Sequence, residues 1–321
     1  MTESTPVLRP ATLDDAGRVA DLETARLPDD PRDGAMIAFW WTNQRAGERS
    51  IRLVAERGGA INFFVAAGHE IWEEAAHRFG WVRVSLHPDS WSDATFRHGI
   101  DAAESWQRAE GTRTAVARVR EDRTGELAAL TEIGYREVRR QRHWELDLVG
   151  RRDQLLAMAD HSRAEMGKLG INMTTVDQYR EPDVLRKVYE LDIEATNDNP
   201  TTVPHAVPTY EEWLEHYFDN PGIRKDRFWI ARMGDAIVGM SLIEYPPGRG
   251  VPATEFTGTS PRMRGRGIAR ALKYETVAQA IALGAKRLRT DNDSENAPIL
   301  HINAEMGYQP MTPYLELHRE L

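Results

Sequence analysis

The residues best suited to chemistry crowd into Thr254–Ala269, TEFTGTSPRMRGRGIA. Gly265 and Gly267 sit among Arg262, Arg264 and Arg266. Glycine lets the backbone turn its amides outward, and a helix starting near Ile268 aims its positive end at the same point. Such a turn binds anions, and a diphosphate is its natural guest. Upstream, the alternation of a strand puts Glu255, Thr257 and Thr259 on one face and Phe256 and Gly258 on the other. Pro261 ends the ladder. A carboxylate beside an anion site is placed to remove a proton. Glu244, near the end of the preceding strand, is a second candidate base.

These residues need a strand before the loop and a helix after it. Ile268, Ala271, Tyr274, Ala278 and Ile281 recur every three or four positions, as an amphipathic helix requires, and Gly284 ends it. A strand at Arg287–Thr290 follows, then a loop, a helix around Pro298–Glu305, Gly307-Tyr308 and a last strand at Tyr314–Leu321. Upstream, Asn172–Val176 reads as strand and Pro182–Ala195 as helix. Thr209 with Glu212 forms a capping box opening another helix. Strands at Arg227–Arg232 and Ala236–Tyr245 complete the pattern. The polar, Pro-rich stretch Thr196–Pro208 reads as a lid.

The same pattern occurs earlier in the chain. Pro261, Gly284 and Gly307-Tyr308 repeat Pro88, Gly111 and Gly134-Tyr135 at one offset of 173 (261 against 88, 284 against 111, 307 against 134). Three landmarks at one spacing mark two copies of one unit. The first copy reads as a helix at Leu13–Leu27, a helix at Ile37–Ala46 and strands at Ile51–Arg57, Ile61–Ala67 and Trp81–Leu86. A helix at Asp93–Ala109, a strand at Ala115–Val119, a helix near Leu127–Ile133 and a closing strand at Glu137–Leu148 follow. The expected division is 1–150, a connecting helix or exposed linker at 151–168, and 169–321. Each unit is an α/β layer.

Composition sets outer bounds. With 321 residues, about two domains of roughly 150 residues are expected. A net charge of −9 disfavours a nucleic-acid partner. The absence of cysteine excludes disulfides, thiolate metal sites and a cysteine nucleophile. No apolar run approaches about 18 residues, so no membrane span is expected. MTESTPVLRP shows no charged-then-apolar leader, which makes a cytoplasmic setting the expectation. His69, His77 and His87 lack metal-ligand spacing, and no metal is expected. A third glycine is missing from the loop, and Walker, His-Glu-x-x-His and Gly-x-Ser-x-Gly patterns are absent.

Arg262-x-x-Gly265-x-Gly267 followed by Ile-Ala-Arg-Ala-Leu resembles the acyl-CoA-binding loop of the GCN5-related N-acetyltransferase (GNAT) superfamily. Asn296, with Gly307-Tyr308 eleven residues later, resembles that family's next element. The resemblance extends over both copies. It implies an α/β fold with two tandem GNAT-type units, each a mixed central sheet flanked by helices. It implies acetyl-CoA as cosubstrate, its pantetheine arm between the splayed fourth and fifth strands. The residues expected to hold it are Thr257, Gly258, Thr259, Arg264, Gly265, Arg266, Gly267, Ile268, Ala269, Asn296 and Asn303. The acceptor expected is a small-molecule amine, and the chain a monomer or homodimer.

Many members carry a tyrosine seven residues after that asparagine, which protonates the leaving thiolate. Here the place holds Asn303, whose amide is expected to donate to the sulfur instead. Tyr314 is a further candidate acid, Tyr308 a packing residue and His301 a surface residue. Asn292 is expected to hold the loop before Asn296. Trp40, Trp41, Trp213, Tyr217 and Phe218 read as core. Asp192, Glu194 and Asp198 are candidates for meeting a cationic acceptor.

Under the repeat offset, Arg262, Arg264 and Arg266 become Asp89, Trp91 and Asp93, and Gly265 and Gly267 become Ser92 and Ala94. Carboxylates repel a diphosphate and side chains block the backbone's approach. The first unit is therefore expected not to bind acyl-CoA, with Arg97 and Arg123 as the opposing hint of a different anion site. A non-catalytic acyl-CoA sensor and a protein-lysine acetyltransferase are the alternative readings.

Overall fold

The computed structural model describes residues 6–70, 77–196, 202–203, 206–293 and 296–321. The first half runs through β1 (Arg9–Pro10), α1 (Ala16–Arg26), α2 (Gly34–Thr42), β2 (Arg49–Arg57), β3 (Ala60–His69), β4 (Phe79–Leu86), α3 (Asp93–Glu110), β5 (Thr114–Arg120), α4 (Thr124–Glu132) and β6 (Arg136–Asp147). Helix α5 (Arg152–Lys168) leads into the second half. There follow β7 (Ile171–Thr175), α6 (Val184–Thr196), α7 (Tyr210–Phe218), β8 (Phe228–Met233), β9 (Ala236–Glu244), β10 (Ala253–Thr259), α8 (Ile268–Ala282), β11 (Arg287–Asp293), α9 (Ala297–Met306), β12 (Gln309–Pro310) and β13 (Tyr314–Glu320).

The two halves repeat one order of elements, and the landmarks coincide. Pro88 and Pro261 each open a 3-10 turn. Gly111 and Gly284 follow α3 and α8, and Tyr135 and Tyr308 are both buried. Thr209 caps α7 as expected, accepting from the Glu212 amide at 3.2 Å while Glu212 accepts from the Thr209 amide at 2.7 Å. Helix α2 begins earlier than its apolar run suggested. The Asp33 carboxylate accepts from the Ala35 and Met36 amides and fixes the first turn at Gly34.

The strands form one mixed sheet in the order β1-β2-β3-β4-β5-β13-β6-β11-β10-β9-β8-β7, with β12 beside β6. The halves exchange their closing strands, which the sequence reading had kept within each copy. β6 pairs with β11 from Asp147 to Gln141, and β13 pairs with β5 from Tyr314 to Glu320. β6 and β13 then pair with each other. The cores record the exchange. Leu146 of β6 and Leu148 just after it pack with Tyr274, Ile281 and Met306, whereas Leu315 and Leu317 of β13 pack with Phe63, Phe96 and Tyr135. Each buried leucine contributes roughly 1.5–3 kcal/mol. Both closing strands alternate, so either core accepts either strand; crossing over leaves no open sheet edge at the seam.

α5 is a packed helix rather than an exposed linker. Leu155 and Ala159 lie in the second core, and Arg163 Nε donates to Glu275 of α8 at 2.7 Å. Between β10 and β11 the ladder is brief, with Ala253 opposite Arg289, and the strands then diverge. β4 and β5 pair from Phe79 to Val82 and also diverge. Among the described residues no helix is long and apolar enough to cross a membrane.

Candidate active site

A cleft of about 990 Å3 opens where β10 and β11 separate. Thr257, Gly258 and Thr259 form its floor, and Arg264, Gly265, Gly267, Ile268 and Ala269 its loop end. Asn296 and Pro298 at the start of α9 form the facing wall. The sequence-derived loop, strand and asparagine are therefore brought together. Arg266 is exposed and lies outside this lining.

The loop is built for an anion. Gly265 and Gly267 have φ of 75° and 80°, a region that favours glycine. Gly267 is the N-cap of α8, and no side chain caps that helix. Its first-turn amides thus point unclaimed toward the cleft. The Thr259 hydroxyl is buried without a hydrogen-bond partner at the cleft floor. A pyrophosphate with an attached polar arm matches both the free amides and this orphaned hydroxyl.

β10 carries a bulge. Thr254 pairs with Ile243 and Phe256 with Leu242, leaving Glu255 without a partner. The strict alternation expected from 255 to 259 therefore breaks at its first residue. A bulge re-aims its extra residue, and Glu255 lines the cleft together with Thr257 and Thr259. Ser241 and Thr257 hold the strand beyond it, their hydroxyls 2.8 Å apart.

Glu255 lines a second cavity as well, of about 400 Å3, at the seam of the halves. Thr290 and Asp291 are shared by both spaces. The seam cavity is lined by Trp40, Trp41, His143, Glu244 and Glu255 among others. Its cations are largely spoken for. Arg289 donates to Glu145 at 2.9 Å and to Asp30 at 2.9 Å, and Arg120 to Asp29 at 2.8 Å. Among the described residues Glu244 accepts from Asn220, at 3.1 Å, and burial raises its carboxyl. The Glu255 side chain is exposed to both cavities, with protein packed around it. Burial, reinforced by Glu244 and Asp291, pushes its carboxyl up to about 8.

Asn303 corrects an expectation. It is fully buried and lies behind the cleft wall rather than in it. Its Nδ2 donates to Asn292 Oδ1 at 2.6 Å, and its Oδ1 accepts from Lys273 Nζ at 2.8 Å. Its Oδ1 and one Nδ2 hydrogen are committed, and the side chain stands outside the cleft lining, away from the path of a departing sulfur. Asn292 is thereby tied to α9 rather than to the loop before Asn296. Lys273, which the helical periodicity did not single out, is the group that lines the cleft.

The remaining candidates separate cleanly. Tyr314 lies in the seam cavity on β13, outside the cleft lining, and Tyr308 is buried packing. His301 is exposed on α9 at the cleft rim. Asp192 is buried and accepts from Trp213 Nε1 at 2.7 Å, which makes it part of the core. Glu194 is exposed and lines neither cavity; Asp198 lies outside the described residues, as do 197–201 and 204–205 of the proposed lid. Trp213 and Tyr217 are core as expected, but Trp40 is 40 % exposed and faces the seam.

In the first half the equivalent turn is closed. Ser92 caps α3, accepting from the Thr95 amide at 3.1 Å, and Asp93 occupies the first turn. Arg97 pairs with Glu132, and Arg123 with Glu126 at 3.0 Å, so neither gathers into an anion site. Among the described residues no group of His, Asp and Glu is arranged to hold a metal.

Residues 185–308 match the model of the Acetyltransferase (GNAT) family. No curated protein matches the chain. Among solved structures, a tandem GNAT protein from the clavulanic acid biosynthesis pathway, solved without AcCoA, superposes with a TM-score of 0.75 at 16 % identity, covering 98 % of both chains. A GCN5-related N-acetyltransferase from Sphaerobacter thermophilus gives a TM-score of 0.67 at 20 % identity, covering 100 % of this chain and 97 % of the other. The GCN5-related glucosamine N-acetyltransferase region of a fungal multi-domain β-N-acetylglucosaminidase gives 0.71 at 15 % identity, over 99 % of this chain and 38 % of that one. At these identities the likeness is one of fold.

Proposed function

We propose that this chain, which matches the GNAT family model over residues 185–308 and shares the fold of tandem GNAT proteins, transfers an acetyl group from acetyl-CoA to the amine of a small molecule. The second unit (169–321) holds acetyl-CoA and does the chemistry. The first unit (1–150) holds no CoA and walls the acceptor.

The observation that carries the reading is the position of Glu255. It is the titratable side chain, with Asp291, shared by the cleft and the seam cavity. An amine entering from the seam meets this carboxylate just where it meets the thioester. Glu255 takes the amine proton, directly or through a water, and the freed nitrogen attacks the acyl carbon. A carboxyl raised to about 8 is a strong enough base for that step near neutral pH. The uncapped amides of α8 anchor the diphosphate, and the β10 backbone beyond the bulge positions the acyl arm.

The acceptor follows from the seam cavity. The carboxylates of Glu244 and Glu255 and the half-exposed indole of Trp40 suit a small cationic amine with an apolar body. The test is release of free thiol from acetyl-CoA with a panel of such amines. Amine-dependent release supports the reading; saturable acetyl-CoA binding with no release across the panel would leave the chain a binding protein.

A further inference from the structure

Asn303 is buried outside the cleft lining, yet the cleft is not without a proton donor. Lys273 on α8 is 1 % exposed and its side chain forms part of the cleft wall. Its ammonium donates to Asn303 Oδ1 at 2.8 Å and sits 5.1 Å above the ring of Tyr308. A lysine is rarely buried unless it is paired, and among the described residues this one has no carboxylate as a hydrogen-bond partner. The neutral Asn303–Asn292 pair fixes where Nζ points without neutralising it.

We propose that Lys273 is the proton donor to the leaving thiolate, and that Asn303 positions it. This deepens the acetyltransferase reading and rests on it. In the step, the acceptor nitrogen bonds to the acyl carbon and the carbon–sulfur bond breaks with its electron pair on sulfur. One proton passes from Lys273 Nζ to that sulfur, and solvent returns it to the lysine after thiol departure. Glu255 removes the amine proton on the other side of the acyl carbon. Burial brings the ammonium down to about 7, so it gives up a proton readily; Asp291 on β11 opposes that shift. The other groups around it are the Asn303 amide of α9, the Tyr308 ring, and the Arg270–Glu305 pair in the same cleft wall.

The test compares wild type, Lys273→Met and Asn303→Asp with acetyl-CoA and an accepted amine. With a base near 8 and an acid near 7, wild-type kcat/KM rises to about pH 7, levels, and falls beyond about pH 8. Lys273→Met is expected to lose about 10²-fold or more in kcat, keep its acetyl-CoA Kd, and show a profile that rises through pH 8 without falling. Asn303→Asp sets a carboxylate against the ammonium and moves the falling limb to higher pH, which a packing role would not do. A falling limb kept in Lys273→Met, or a loss under about 5-fold, overturns the proposal. So does acetylation of Lys273 during turnover, which would make it a nucleophile. Absence of any wild-type turnover instead removes the acetyltransferase reading, and this inference with it.

Discussion

Asp33 in the first half binds the second half directly: its Oδ2 accepts from the Gly248 amide at 2.8 Å and from the Arg249 amide at 2.7 Å. The same carboxylate caps α2 through Oδ1. One side chain thus sets both the helix that carries Trp40 and the loop that closes the seam cavity. Asp33→Ala is expected to cost about 1 kcal/mol or more in urea unfolding, since a lost cap alone costs that much. It should also raise the acceptor KM while leaving the acetyl-CoA Kd within about 2-fold, because Gly265 and Gly267 line the cleft whereas Asp33 lines only the seam cavity.

The contrast between Ser92 and Gly267 predicts stoichiometry. Ser92 fills the α3 N-terminus with a side-chain cap, while Gly267 leaves that of α8 open. Calorimetric titration should find one acetyl-CoA per chain. Gly267→Ala forces a side chain into φ of 80° and should weaken binding by about tenfold, at a strain of roughly 1–2 kcal/mol. Ser92→Ala should leave the stoichiometry unchanged; two equivalents in the wild type would contradict the closed first turn.

Trp40 faces the seam while Trp41 stacks on Phe64 with centroids 5.9 Å apart. Trp40→Ala should therefore raise acceptor KM by about 5-fold or more with little change in stability. Trp41→Ala should act chiefly on stability, by up to about 3 kcal/mol, visible as a lower urea midpoint.

Glu255 makes stability depend on pH with a defined sign. Its carboxyl titrates at about 8 when folded, against about 4.3 in an unfolded chain. Between those values the folded state holds the extra proton, so stability is lost as pH rises from about 4 through 8. Glu255→Gln cannot lose it. The variant's unfolding free energy, measured by denaturant at pH 5 and pH 9, should gain on the wild type at the higher pH. Parallel pH curves would mean that Glu255 titrates normally.

Much of this was legible because it is local. The offset between Pro88 and Pro261, the glycines of the anion loop and the Thr209–Glu212 box are each fixed by a few neighbouring residues. The exchange of β6 and β13 was not, since Leu146 and Leu315 suit either core and only long-range register decides between them. The bulge at Glu255 was missed because alternation assumes an unbroken ladder, whereas β10 skips a residue against β9. Lys273 was missed for a related reason. α8 lies between the sheet and α5, so Leu272, Lys273, Tyr274, Glu275 and Thr276 are all buried in succession. A reading in terms of one apolar stripe finds one face of such a helix and not the charged residue on another.

The central claim is that Glu255, at the junction of cleft and seam cavity, takes the proton from the acceptor amine. The direct measurement is kcat for Glu255→Gln with acetyl-CoA and an amine that the wild type accepts, alongside the acetyl-CoA Kd. A fall of about 10²-fold or more in kcat with unchanged Kd is the predicted result. Undiminished turnover with Kd intact would contradict it.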